Sequence, residues 1–238
     1  MTVKPYSEDG SKREQVERMF DAISPKYDVL NRSLSLGVDQ GWRRKVMRLV
    51  AQEPVARLLD VATGTGDLAI MAAKQVSEVV GVDISEGMLS FGREKVKARG
   101  LEGRITLQQA DSAALPFADH SFDAVTVAFG VRNYENLEQG IREMLRVLKM
   151  DGRLYILEFS KPRRAPMKQL FHFYFHHIMP TIGRLVSKDS AAYTYLPQSV
   201  DAFPEGEDFI RILRNCGGRE AKARPLTGGI ATLYSVRK

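Results

Sequence analysis

The stretch LLDVATGTGDLAI, Leu58 to Ile70, sets the tightest limit on the fold. An apolar run enters a loop with glycines at 64 and 66, and a second apolar run follows. This is the signature of a buried strand that turns sharply into a helix, the opening unit of an open α/β sheet. Gly64-Thr65-Gly66-Asp67-Leu68-Ala69 also matches the G-x-G-x-x-G/A pattern of dinucleotide-binding turns. The pattern admits a nicotinamide dinucleotide or another nucleoside, so residues farther along must discriminate.

The rhythm continues downstream. RLLDVAT (57–63), EVVGVDI (78–84), RITLQQAD (104–111), FDAVTVAFGV (122–131) and RLYILEFS (153–160) read as strands. GDLAIMAAKQV and EGMLSFGREKVKARG read as helices between them, the second stopped by Gly100. In NLEQGIREMLRVLKMDG, residues Leu137, Ile141, Met144, Leu145 and Leu148 share one helical stripe, with Gly152 as the expected cap. Near-continuous apolar strands alternating with amphipathic helices imply a parallel sheet covered on both faces. Toward the end, FPEGEDFIRILRNCGG has Pro204 and acids at a helix start and glycines at its end. REAKARPLT and IATLYSVRK, joined through Gly228-Gly229, predict an antiparallel hairpin.

Composition excludes several classes. No window approaches the roughly 20 apolar residues that span a bilayer. The stretch MTVKPYSEDGSKREQ has no secretory h-region, and Cys216 is the one cysteine, so neither a disulfide nor a thiolate zinc site is expected. A reduced, cytoplasmic setting follows as the expectation. Lysine and arginine (35) exceed aspartate and glutamate (29) by six. That balance suits anionic lipid or nucleic acid, but no separate recognition module for nucleic acid is seen.

Ligands of open α/β sheets lie beyond the carboxyl ends of the strands. Those ends carry Asp60 to Gly66, Asp83, Asp111 and Phe129 to Asn133. Asp83 is placed to grip ribose hydroxyls, as either NAD or S-adenosylmethionine requires. Asp67 discriminates, because a carboxylate in the first helical turn repels a diphosphate and tolerates a sulfonium. Asp111 is placed to accept from an adenine amino group, and the Ser112 backbone to donate to a ring nitrogen. The rivals are a nicotinamide oxidoreductase, a nucleic-acid methyltransferase and a non-catalytic binding module.

LDVATGTGD, VDISEGML, QADSAALPFADHSFDAV and VLKMDGRLYILEFSKP, in that order, resemble a class I S-adenosylmethionine-dependent methyltransferase. MFDAISPKYDVLNRSLSLGVDQGWRR (19–44), FGVRNYENLEQG (129–140), LEFSKP (157–162) and YTYLPQSVDAFP (193–204) resemble the ubiquinone/menaquinone biosynthesis C-methyltransferase family. The resemblance implies a doubly wound, Rossmann-like sheet of seven strands with an antiparallel hairpin strand near the C-terminus. It implies one methyltransferase domain over 1–238: a helical lid (1–50), a cofactor core (51–160), a basic aromatic insert (161–203) and a helix with a hairpin (204–238). The cofactor implied is S-adenosylmethionine. The activity implied is C-methylation of a polyprenylated quinol, either demethylmenaquinol or the 2-methoxy-6-polyprenyl-benzoquinol precursor of ubiquinone, with the first favoured.

By the family's motif positions, Thr65, Asp83, Asp111 and Ser112 contact the cofactor. Ala62, Gly64, Gly66, Ile84 and Ala128 complete the expected cofactor set, although some members carry serine where this chain has Ala128. Arg132, Asn133 and Tyr27 are the catalytic candidates. Arginine stays protonated, so Arg132 is expected to stabilise a phenolate, with a surface pair to Glu135 as the bland alternative. Asn133 would orient a hydroxyl or water, and Tyr27, from the lid, would position the acceptor or close over the cofactor, with packing of an N-terminal helix as its bland alternative. His172, His176 and His177 are candidate proton acceptors by type; His172 and His176 have a metal-like spacing, but no metal is expected. Residues 163–188 interleave Arg163, Arg164, Lys168, Arg184 and Lys188 with Phe171, Phe173, Tyr174, Phe175, Ile178 and Met179. This insert is expected to contact a membrane surface peripherally. A lid helix or a homodimer interface are its competing readings.

Overall fold

The computed structural model describes residues 3–6, 9–35, 37–178 and 191–238. Three N-terminal helices, α1 (Lys12–Ile23), α2 (Tyr27–Ser35) and α3 (Val38–Val50), precede the sheet. The core runs β1 (Arg57–Val61), α4 (Asp67–Ala72), β2 (Glu78–Asp83), α5 (Glu86–Lys97), β3 (Ile105–Gln109), β4 (Phe122–Ala128), α6 (Leu137–Val147) and β5 (Leu148–Phe159). Then come α7 (Met167–Phe173), a π-helical turn (Tyr174–Ile178), α8 (Ala191–Ala202), α9 (Glu207–Asn215), β6 (Arg219–Leu226) and β7 (Ala231–Arg237).

The seven strands lie in the order β3-β2-β1-β4-β5-β7-β6. All neighbours are parallel except β7, which runs antiparallel to both β5 and β6. The expected doubly wound sheet with its terminal hairpin is thus present. Chain order reverses between β1 and β4, which makes their carboxyl ends the switch point where a crevice opens. Leu59, Val61, Val125 and Val127 are buried on one face, and Leu58 and Ala124 on the other. Burial on both faces explains why these strands read as unbroken apolar runs.

Strand and helix ends differ from expectation where the backbone is forced into unusual geometry. β1 stops at Val61 because Ala62 takes φ 53°, and β4 stops at Ala128 because Phe129 takes φ 61°. Both are left-handed positions that cannot extend a strand. β3 ends at Gln109, and Asp111 bridges instead to Ala114. α4 is shorter than expected, ending at Ala72. α6 ends at Val147, so Leu148 and Gly152 belong to β5. Gly152 is no helix cap. A Cβ there would lie 2.9 Å from the Asp123 and Lys149 carbonyl oxygens, so glycine serves close backbone approach.

The N-terminal helices divide between two cores. Trp42, Val46, Met47 and Val50 of α3 are buried in the main sheet core. Val16, Met19 and Leu30 of α1 and α2 pack instead with Ala192 and Tyr195 of α8, in a smaller cluster over the sheet's carboxyl edge. Little apolar area holds this cap, so its polar ties to the loops below carry weight.

Candidate functional site

The glycine loop is built to deliver backbone to one carboxylate. Gly64 takes φ 57°, and its N–H donates to Asp83 Oδ2 at 2.8 Å. Ser85 N donates to Asp83 Oδ1 at 3.0 Å. Asp83 is buried, and burial pushes its carboxyl up to about 6. Each oxygen still has a free lone pair for a hydroxyl. Gly66 does different work: a Cβ there would meet Leu107 at 3.7 Å and the Gly92 backbone at 3.9 Å, so it seats the loop on α5.

Three cavities meet at this edge of the sheet. The first, about 150 Å³, is lined by Ala62, Gly64, Asp83, Ile84, Asp111, Ser112 and Ala128 of the expected cofactor set, beneath Arg13, Val16 and Phe20 of α1. The second, about 320 Å³ and mostly apolar, runs between α1–α3 and α7–α8. It is walled by Met19, Ile23, Trp42, Phe159, Phe171 and Tyr195 among others. The third is a narrow polar slot lined by Arg43, Asp60, Thr63, Thr65 and Asp67. Phe20, Tyr27, Phe129 and Asn133 stand between the first and second. Tyr27, Ala62, Gly64 and Ala128 stand between the first and third. Among the described residues, Tyr27 alone borders all three.

Several expected residues are more committed than the sequence suggests. Thr65 lies in the slot rather than the first cavity; its hydroxyl donates to Asp28 Oδ1 at 2.6 Å and accepts from Lys95 at 3.0 Å. Lys95 also pairs with Asp67 and, at 2.8 Å, with Asp28. Burial opposes the charge on Asp67, but Lys95 outweighs it and holds the carboxyl low. Asp67 therefore carries a compensated charge, and the expected repulsion of a diphosphate by a bare carboxylate does not stand. Asp111 accepts from Arg13 Nε at 2.6 Å and from Ala113 N at 2.8 Å. Gly66 borders none of the three cavities.

Arg132 is not a surface residue paired to Glu135. Its Nη1 lies 2.9 Å from Glu158 Oε1 and also donates to the Phe129 carbonyl. Glu135 instead accepts from the Lys12 N–H at 2.8 Å. Burial pushes Glu158 up, against the pull of Arg132. Arg132 Nε and Asn133 Oδ1 are both buried without a hydrogen-bond partner among the described residues. Both residues line the apolar cavity. A buried donor and a buried acceptor without partners are costly. Desolvation raises the Tyr27 hydroxyl, so it stays protonated. His172 and His177 are exposed and border neither large cavity; nothing is described of the His176 side chain. Among the described residues no cluster of metal-ligating side chains occurs.

Glu158, Arg43 and Lys95 were not singled out in the sequence. Glu158 had a signal, since a carboxylate inside the apolar run RLYILEFS must find a buried partner. Arg43 sits one turn from Asp39 and Met47 on the inward face of α3 and is itself buried. Lys95 had no signal, because its partners lie on α2 and the glycine loop.

The model of the ubiE/COQ5 methyltransferase family matches residues 8–238. A demethylmenaquinone methyltransferase of Bacteroides fragilis is 51% identical over 238 residues, 99% of this chain and 97% of the relative. The ubiquinone/menaquinone biosynthesis C-methyltransferase UbiE of Geotalea uraniireducens is 50% identical over 230 residues, 95% of this chain and 97% of the relative. A solved SAM-dependent methyltransferase of Aquifex aeolicus shares the fold, with TM-score 0.57 and 20% identity over 76% of this chain and 81% of that one.

Proposed function

The chain belongs to the ubiE/COQ5 methyltransferase family and uses S-adenosylmethionine, and from that premise we propose that it methylates a ring carbon of a polyprenylated quinol, demethylmenaquinol first. The observation that carries this reading is the apolar cavity lined by Arg132 and Asn133, whose Nε–H and Oδ1 are buried without a partner among the described residues. A phenolic hydroxyl accepts from the first and donates to the second, while a prenyl chain suits the rest. The demethylmenaquinone methyltransferase relatives favour the naphthoquinol over the ubiquinol precursor.

The site fits the cofactor. Asp83 has lone pairs left for the ribose, Asp111 and Ser112 lie beside it for the adenine, and Ala62, Gly64 and Ala128 leave the backbone open at the switch point. S-adenosylmethionine supplies an electrophilic methyl on a sulfonium. Phe129, Tyr27 and Asn133, between the two cavities, align the ring carbon with that methyl, and the apolar walls exclude water. Arg132, its charge already met by Glu158, acts through the hydrogen bond from Nε to the phenolate oxygen, which forms when the hydroxyl gives its proton to water and whose charge passes into the ring as the carbon attacks. The ring then loses its hydrogen as a proton and regains aromaticity.

The same reading covers delivery of the substrate. No helix among the described residues is long and apolar enough to cross a membrane. Leu170, on the wall of the apolar cavity, and Phe173 beside it on α7 are 60% and 57% exposed. With Arg163, Arg164 and Lys168 nearby, they form a surface suited to anionic headgroups, on the cytoplasmic side of the membrane. Met179, Arg184 and Lys188 lie outside the described residues. Flotation with neutral and anionic liposomes tests this contact. Labelled methyl transfer to demethylmenaquinol and to the ubiquinol precursor, side by side, tests the acceptor. Equal or preferred transfer to the precursor would reverse the assignment.

A further inference from the structure

We propose that Arg43 receives the α-carboxylate of the cofactor's amino-acid tail. A sulfonium has three substituents, and three cavities meet at Tyr27, with Ala62, Gly64 and Ala128 standing between the first cavity and the slot. The adenosyl group takes the cavity that holds Asp83 and Asp111. The methyl faces the apolar cavity. The polar slot remains for the tail, which is a zwitterion.

The slot has the charges for it. Arg43 lines the slot, and its side chain is 9% exposed. Its hydrogen bonding among the described residues is one long contact, 3.5 Å from Nε to Asp39 Oδ2. Its two terminal nitrogens therefore have no hydrogen-bond partner among the described residues. A guanidinium fork so placed matches a carboxylate. Asp67 is engaged by Lys95, whereas Asp60 has no ion pair within the slot, and the cation whose charge it feels is Arg43. Asp60 is buried and accepts from Thr63 at 2.7 Å and Thr126 at 2.8 Å. It faces the tail's ammonium. Arg43 also borders the apolar cavity, but the quinol oxygen there is assigned to Arg132 Nε, which leaves Arg43 for the tail.

The test is cofactor binding by calorimetry, without any acceptor, so it stands apart from the quinol assignment. The ligands are S-adenosylmethionine and its decarboxylated form, which keeps the sulfonium and the ammonium. Wild-type protein should bind S-adenosylmethionine roughly 10- to 100-fold more tightly, the range of a charge-assisted hydrogen bond. Arg43→Met should abolish that preference while binding the decarboxylated ligand nearly as before, and Arg43→Lys should keep part of it. Absence of the preference in the wild type would overturn the proposal, whatever the variants do. Equal loss of both ligands in Arg43→Met, with the melting temperature preserved, would also overturn it by showing a merely structural role.

Discussion

Glu158, fully buried at the end of β5, holds Arg132 by a 2.9 Å ion pair, and the two side chains form one unit rather than a free cation in a pocket. Removing Arg132 strands a buried carboxylate, which typically costs about 3–5 kcal/mol. Burial already raises Glu158, so without Arg132 its folded-state pKa rises further and it takes up a proton on folding. A raised carboxylate contributes stability that is full below its unfolded pKa and lost as pH rises through the folded one. Arg132→Ala should therefore lose turnover, keep cofactor affinity within about threefold, and fall farther below wild type in melting temperature as pH increases. Melting curves across the range from pH 5 to pH 8 check this; a constant gap would mean that loss of Arg132 does not raise Glu158 further.

Asp83 gives a second pH dependence with opposite consequences for binding and for folding. Burial holds its carboxyl at about 6. With Asp83 as the proposed ribose ligand, cofactor affinity should be level above about pH 6 and fall by up to tenfold per unit below it. The contribution of the same group to the stability of the free protein runs the other way, being lost as pH rises toward about 6. Asp60 also sits at about 6 and, facing the ammonium, adds a slope of its own. Asp83→Asn should therefore bind weakly with a shallower slope, and Asp60→Asn should lose only the share that Asp60 adds.

The frame of this molecule was legible because it follows from periodicity. Doubly buried parallel strands cannot be written any other way, and the hairpin through Gly228-Gly229 announces itself. Asp83 and Asp111 were legible because strand ends point at the crevice. What stayed hidden was partnership. Asp67 looks bare in GTGDLAI, yet its cation, Lys95, is 28 residues away on α5. Arg132 looks adjacent to Glu135 but reaches across to Glu158 on the neighbouring strand. Such pairs depend on which strands lie side by side, and no local pattern states that.

Lys95 ties the cap to the core. It bonds Asp28 of α2 together with Thr65 and Asp67 of the glycine loop, in a position only partly exposed. Lys95→Met should remove that tie at a cost of about 1–2 kcal/mol. Amide hydrogen exchange should accelerate over Tyr27–Ser35 and leave β1 and β4 unchanged, and the cofactor should dissociate faster. Unaltered exchange in α2 would show that the apolar cluster and the remaining polar ties of α1 hold the cap without Lys95.

Gly130 tests how closely the cofactor loop rests on the strand beside it. A Cβ at this position would lie 2.6 Å from Ala62 Cβ and 2.9 Å from Val127 Cγ2. Gly130→Ala should cost about 1–3 kcal/mol by overpacking and displace Ala62 from the cofactor cavity. Ala62 itself has φ 53°, a conformation that glycine adopts freely. Adding Ala62→Gly to Gly130→Ala should therefore recover cofactor affinity that the single variant loses, as read by calorimetry. Additive losses in the double variant would rule out this contact as the cause.

Trp42 is the one tryptophan of the chain, and it lies in the wall of the apolar cavity. Its Nε1 donates to Thr227 Oγ1 at 2.8 Å, and its ring stands 6.0 Å from Phe129 and 6.3 Å from Phe159. On the proposed assignment of the cavities, a quinone comes within contact of the indole, whereas adenosine in the neighbouring cavity stays behind Phe129. Intrinsic fluorescence should therefore be quenched by a short-chain naphthoquinone and hardly altered by S-adenosylhomocysteine. Thr227→Val removes the hydrogen bond without changing the volume, and should loosen α3 against the hairpin turn and weaken quinone quenching more than cofactor binding. Equal quenching by the nucleoside alone would place the acceptor somewhere other than this cavity.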